Sequence, residues 1–167
     1  VPAVTQPLSA PAKPLLQLGE VKDLRLVSDS RVVVQKQNAY SKTTGAYIAQ
    51  KPVAEILRDG IQATLRTNSF QVSESGGTYE LKAQIQEFNY DSIGGMWTAT
   101  VASKFVVRFE LFDAATGNSV WRDTLTGRNQ DKTAWGDASF VLKTFQATVD
   151  DLLRQFIADK TFRKFFE

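Results

Sequence analysis

The chain has 167 residues, 43% hydrophobic and 23% charged, with 20 basic against 18 acidic side chains and a net charge of +2. That length fits one domain with one core, the composition sets intrinsic disorder aside, and the well-mixed charge lacks the clustered basic face that nucleic acid requires. With no Cys and no His, the chain excludes Ser-His-Asp and Cys-His nucleophile systems, disulfides, and zinc sites built from imidazole or thiolate. No apolar run approaches the roughly 18 residues of a membrane-spanning helix.

Residues 1–17 read as a Pro/Ala-rich tether, because Pro2, Pro7, Pro11 and Pro14 favour an extended spacer over packed structure. The start at Val1-Pro2, with no Met, suggests a processed or truncated N-terminus. One domain is expected over 18–167. It opens with two strands, Leu18 to Leu26 and Arg31 to Gln35, separated by turn chemistry at Ser28-Asp29-Ser30. Gln37 to Gln50 reads as a loop.

A helix follows Lys51-Pro52, its apolar face formed by Val53, Ile56, Leu57, Ile61, Thr64 and Leu65. Asn68 ends it before a short edge-like strand, Phe70 to Ser73. Two long alternating strands come next, Thr78 to Asp91 and Trp97 to Leu111, joined through Ser92-Ile93-Gly94-Gly95. A loop at Asp113–Asn118 leads to a further strand, Ser119 to Arg128. The last helix is expected from about Asp137 to Asp159, with Asp137 or Ser139 as N-cap and an apolar stripe from Phe140 to Ile157. Phe162, Phe165 and Phe166 either fold back onto the domain or form a partner site. Strands, helix, a four-strand meander and a helix give an α+β class: a mostly antiparallel sheet with a long β-meander and two main helices on one face.

The long ribbon carries a conflict of parity. Tyr79, Leu81, Ala83 and Ile85 put the core face on odd numbers, whereas Phe88 and Tyr90 are even. A one-residue bulge near Gln86-Glu87 would return all of them to one face; without it Phe88 and Tyr90 are exposed. With Ser92–Gly95 as the connecting loop, Tyr90 would face Trp97, and Phe88 would face Ala99. At ~3.3 Å per residue each arm reaches roughly 43 Å, against about 35 Å for a helix rising ~1.5 Å per residue, so the tip would project beyond its cover.

The candidate binding surface is aromatic: Tyr90, Met96, Trp97, Trp121 and Trp135, which could line a stacking surface for a glycan or peptide, or serve as core and cross-strand pairs. No catalytic, cofactor or metal constellation stands out. Asp23, Asp91, Asp113, Asp123 and Asp131 have no spacing that makes them converge, and surface solvation or turn capping accounts for them. Gly76-Gly77 and Gly94-Gly95 lack a phosphate-loop pattern and read as turn glycines.

From Glu20 to Asp159 the order of elements resembles the YajG family of bacterial envelope lipoproteins. The residues that carry the resemblance are Val21-Lys-Asp-Leu-Arg25, "PVAEILRDGIQATLRTNSF", the meander "YELKAQIQEFNYDSIGGMWTATVASKFVVRFELFDAATGNSVW" and "GDASFVLKTFQATVDDLLRQFIAD". The resemblance implies a periplasmic domain held to the outer membrane by a lipid on a Cys that precedes Val1. It implies no catalytic residues or cofactor, and an envelope protein or a second copy as partner. A small-ligand or peptidoglycan-fragment module using the aromatic tip is the competing expectation.

Overall fold

The computed structural model describes residues 12–37, 40, 42–94, 98–134 and 138–167. The chain order is β1 (Leu15–Asp23), β2 (Val32–Gln37), β3 (Thr43–Ile48), α1 (Val53–Thr67), β4 (Gln71–Ser73), β5 (Tyr79–Gly94), β6 (Thr98–Asp113), β7 (Ser119–Ala134), α2 (Ala138–Ala158) and α3 (Lys160–Arg163). The class is α+β as expected. β1 starts three residues ahead of the boundary placed at Leu18, because Leu16 is a core residue with no exposed surface.

Five strands form the main sheet in the order β4-β1-β5-β6-β7. β5, β6 and β7 are an antiparallel meander of 16-residue strands. The expected four-strand meander is corrected to three. β4 lies on the far side of β1, delivered there by α1 as a crossover, and β1 runs parallel to both its neighbours. β1 itself is irregular between Leu18 and Val21, and Arg58 of α1 donates to the carbonyls of Leu18 and Gly19 exposed there.

The expected loop over 37–50 contains β3, which pairs antiparallel with β2 as a separate two-stranded sheet. None of its residues is fully buried, so no inward face marked it as a strand. α1 buries Val53, Leu57, Ile61 and Leu65, a spacing of four that follows one helical stripe. Pro52 stands just ahead of it as N-cap, and the Val53 N–H donates to the Ser30 carbonyl at 3.0 Å.

α2 crosses β6 and β7 on the same face that α1 occupies over β1 and β4. Its approach to β7 is so close that a Cβ on Gly127 would collide with the Thr148 carbonyl oxygen. Between helix and sheet, the buried hydroxyls of Ser103 and Thr148 hydrogen-bond at 2.5 Å. β6 supplies the core's spine, burying Ala99, Val101, Phe105, Val107, Phe109 and Leu111 in strict alternation. The C-terminal phenylalanines fold back. Asp159 caps α3 by accepting from the Thr161 and Phe162 N–H groups at 2.7 and 2.9 Å. Phe162 then packs at 5.7 Å from Phe70, 5.1 Å from Trp121 and 4.7 Å from Phe156.

Candidate functional site

β5 and β6 pair as Ile85 with Val107, then Glu87 with Val106, which leaves Gln86 as the extra residue of a β-bulge. The parity conflict in the sequence is resolved there. Phe88 turns inward against Phe105 and Phe145, with ring centroids 6.0 and 5.2 Å away. Tyr90 lies opposite Ser103, not opposite Trp97, and Phe88 opposite Phe105, not Ala99. The expected loop residues Ser92, Ile93 and Gly94 remain in the ladder, paired with Val101, Thr100 and Ala99, and so lengthen the ribbon.

Of the aromatic candidates, the two described ones lie apart: Tyr90 is opposite Ser103 and Trp121 opposite Leu111, eight residues further along β6. Trp121 is buried, its indole N–H donating to Thr161 Oγ1 at 3.0 Å, and belongs to the core. Met96, Trp97 and Trp135 lie outside the described residues. Tyr90 is half-buried, and its phenol pKa is raised, first by burial and then by the neighbouring Tyr47.

What Tyr90 does line is a groove. β1 pairs with β5 only as far as Asp23 and Ile85, and a last hydrogen bond runs from the Leu24 N–H to the Ile85 carbonyl at 2.9 Å. The chain then leaves the sheet at the level of the bulge. Arg25 fixes the departure. Its guanidinium holds the Asp23 carboxylate through Nε at 2.9 Å and NH2 at 2.7 Å, and its NH1 donates to the Val32 carbonyl at 2.9 Å. Both side chains are almost fully covered, so this bidentate pair ties the end of β1 to the start of β2.

Between β2 and the far half of β5 lies an open groove of about 660 Å³, within the size range of ligand sites. Its walls are two runs of consecutive residues, 32–35 and 86–91, with 24–27 joining them. Leu26 at its rim is 99% exposed and Leu24 44%. Among the groove's charged groups, Arg25 is neutralised by Asp23, Glu87 is paired with Lys104, and Asp91 has no ion-pair partner among the described residues.

The other aspartates do local work. Asp113 accepts from the Ala115 and Thr116 N–H groups in the β6–β7 turn, and Asp123 and Asp131 each accept from the following N–H. Asp23 caps the turn as expected, accepting from the Arg25 N–H at 3.1 Å, and is also one half of the covered ion pair with the Arg25 guanidinium. Among the described residues no group of three or more His, Cys, Asp or Glu comes together to hold a metal ion, and no helix is long and apolar enough to cross a membrane.

No family model matches the chain, and no curated protein matches its sequence. Solved structures do share its fold. A Xanthomonas campestris protein of the family described as DUF330 superposes with a TM-score of 0.64 at 16% identity, over 89% of this chain and 86% of that one. A minor lipoprotein from Acinetobacter baumannii gives 0.52 at 16% identity, over 90% and 91%. A hypothetical protein from Chlamydia trachomatis gives 0.51 at 10%, over 88% and 95%. At these identities the likeness is one of fold. The sequence carried two signals of the groove: the parity conflict at Gln86, and the apolar Leu24 and Leu26 on either side of Arg25.

Proposed function

We propose that the chain is a non-enzymatic domain of a bacterial envelope lipoprotein of the YajG type, working as an accessory module that binds another envelope protein or a second copy of itself. In this reading it sits in the periplasm, held to the outer membrane by a lipid on a Cys ahead of Val1. The observation that carries the reading is the groove beside β5, where backbone edge and exposed leucines lie together without a cover among the described residues. Two further points support it: the lipoprotein of the same fold from Acinetobacter baumannii, and the resemblance of residues 20–159 to YajG proteins.

The test is copurification from chemically crosslinked envelopes together with sedimentation of the purified chain. The reading expects a recurrent envelope protein or a defined oligomer. A strictly monomeric chain that recovers no partner contradicts it, and saturable muropeptide binding by such a chain would transfer the function to a small ligand.

A further inference from the structure

We propose that the groove between β2 and the far half of β5 is a slot for one extended segment of a partner protein, which enters as an added β-strand and carries a cationic side chain to meet Asp91. The proposal rests on the reading that the partner is a protein, and adds where and how it binds.

The first argument is the shape of the walls. Side chains of consecutive strand residues point to opposite faces, so a groove lined by 32, 33, 34 and 35 on one side and by 86 to 91 on the other runs along strand edges, not across faces. Among the described residues, β2 is paired with β3 on one edge only, and β5 beyond Ile85 with β6 on one edge only. β5 thus presents a row of backbone donors and acceptors to the slot; on β2, Val32 is already engaged, its N–H donating to the Asp29 carbonyl and its carbonyl accepting from Arg25.

The second argument comes from how the other edges are treated. Free strand edges invite pairing, and proteins blunt them. β4 at one end of the sheet has only three residues. β7 at the other end is capped from α2: Asp151 accepts from the Arg128 N–H, and Gln155 Nε2 donates to the Thr126 carbonyl, both at 2.9 Å. Between Gln86 and Asp91 there is no Lys, Arg or Pro, and no side chain caps that edge among the described residues. An uncapped edge in a sheet whose terminal strands are short or capped fits strand addition, in which backbone bonds supply affinity and alternate side chains supply selectivity.

The third argument is charge. With Arg25 and Glu87 already paired, the charge in the slot left without an ion-pair partner among the described residues is the exposed carboxylate of Asp91. A Lys or Arg in the incoming strand complements it. The chain's own tether is a poor occupant: Pro2, Pro7, Pro11 and Pro14 remove the N–H groups that pairing needs.

The probe is an acetylated, amidated heptapeptide alternating valine and threonine, with lysine at both ends, titrated against the full chain while amide hydrogen exchange is followed. The slot predicts slowed exchange in both 32–35 and 86–91. N-methylation of alternate peptide amides should abolish it, and glutamate in place of lysine should weaken binding about three- to fivefold, as expected of an exposed charge pair. Asp91→Lys should reverse that preference without altering the fold. Unchanged exchange in both runs, or equal binding of the N-methylated peptide, overturns the slot. In envelopes, a photocrosslinking residue at Asn89 should capture the same protein as one at Gln35. Capture only from Gln130 on β7 keeps the protein-binding reading and rejects the slot; capture from none of the three rejects both.

Discussion

The two halves of β5 both pair with β6 and are otherwise structurally opposite. From Tyr79 to Ile85 the strand has β1 on one side and β6 on the other, buries Leu81, Ala83 and Ile85 completely, and is closed at its base by Tyr79 packing on Phe165 and Phe166 at 5.6 and 5.5 Å. From Glu87 onward it keeps only β6 among the described strands, and residues 91–94 are all exposed. One residue separates the regimes. Gln86 lets the same strand keep its aromatics inward past the point where β1 leaves, so the far half stays anchored on one face while its edge is released. A bulge here does two jobs: it preserves the core, and it ends a pairing.

The sharpest way to break that contrast is at Arg25. Arg25→Met leaves the covered Asp23 carboxylate without its cation and frees the Val32 carbonyl, which should cost about 3–5 kcal/mol of stability by urea unfolding. Exchange should quicken first in β2. A loss below about 1 kcal/mol would mean that the pair does not frame the groove.

A smaller effect belongs to the closed half. Asp159→Ala removes the α3 cap and should cost about 1 kcal/mol, with Trp121 emission shifting as Phe162 loosens in a chain whose other two tryptophans are replaced by Phe. The Asp159 carboxyl is lowered in the folded chain: burial, the largest influence, would raise it, but hydrogen bonds from the Thr161 hydroxyl and the Phe162 and Thr161 amides together outweigh burial. A carboxyl lowered on folding contributes stability above its unfolded pKa of about 4, and that contribution is lost as pH falls through the folded value. The wild type should therefore lose its advantage over Asp159→Ala as the solution is acidified below pH ~4. The groove, whose walls do not touch this cap, should keep its exchange pattern in the variant.

Much of this was legible in the sequence. Alternation along β6 and the four-residue spacing of Val53, Leu57, Ile61 and Leu65 mark their elements directly, and the odd-to-even switch between Ile85 and Phe88 places the bulge at Gln86-Glu87, which the pairing with β6 narrows to Gln86. The rest depended on partners far along the chain. β3 has no buried face to give a period, and the parallel placement of β1 between β4 and β5 is set by the crossover through α1, not by any pattern in Leu15–Asp23 itself. Trp121 reads from sequence as one of several strand aromatics that could stack on a ligand or belong to the core; the phenylalanines that bury it come from α2 and α3. The groove's two sequence signals did not show that they belong together, since its walls, 32–35 and 86–91, lie more than 50 residues apart in sequence and Arg25 ties the turn between them.

Hydrogen exchange along β5 of the free chain tests the central claim most directly. The account predicts that amides of Leu81, Ala83 and Ile85 exchange only on global unfolding, while those in 87–94 that point away from β6 exchange at least about a hundredfold faster, with the break at Gln86. Uniform protection from Tyr79 to Gly94 would show that the far edge is already covered, and would contradict it.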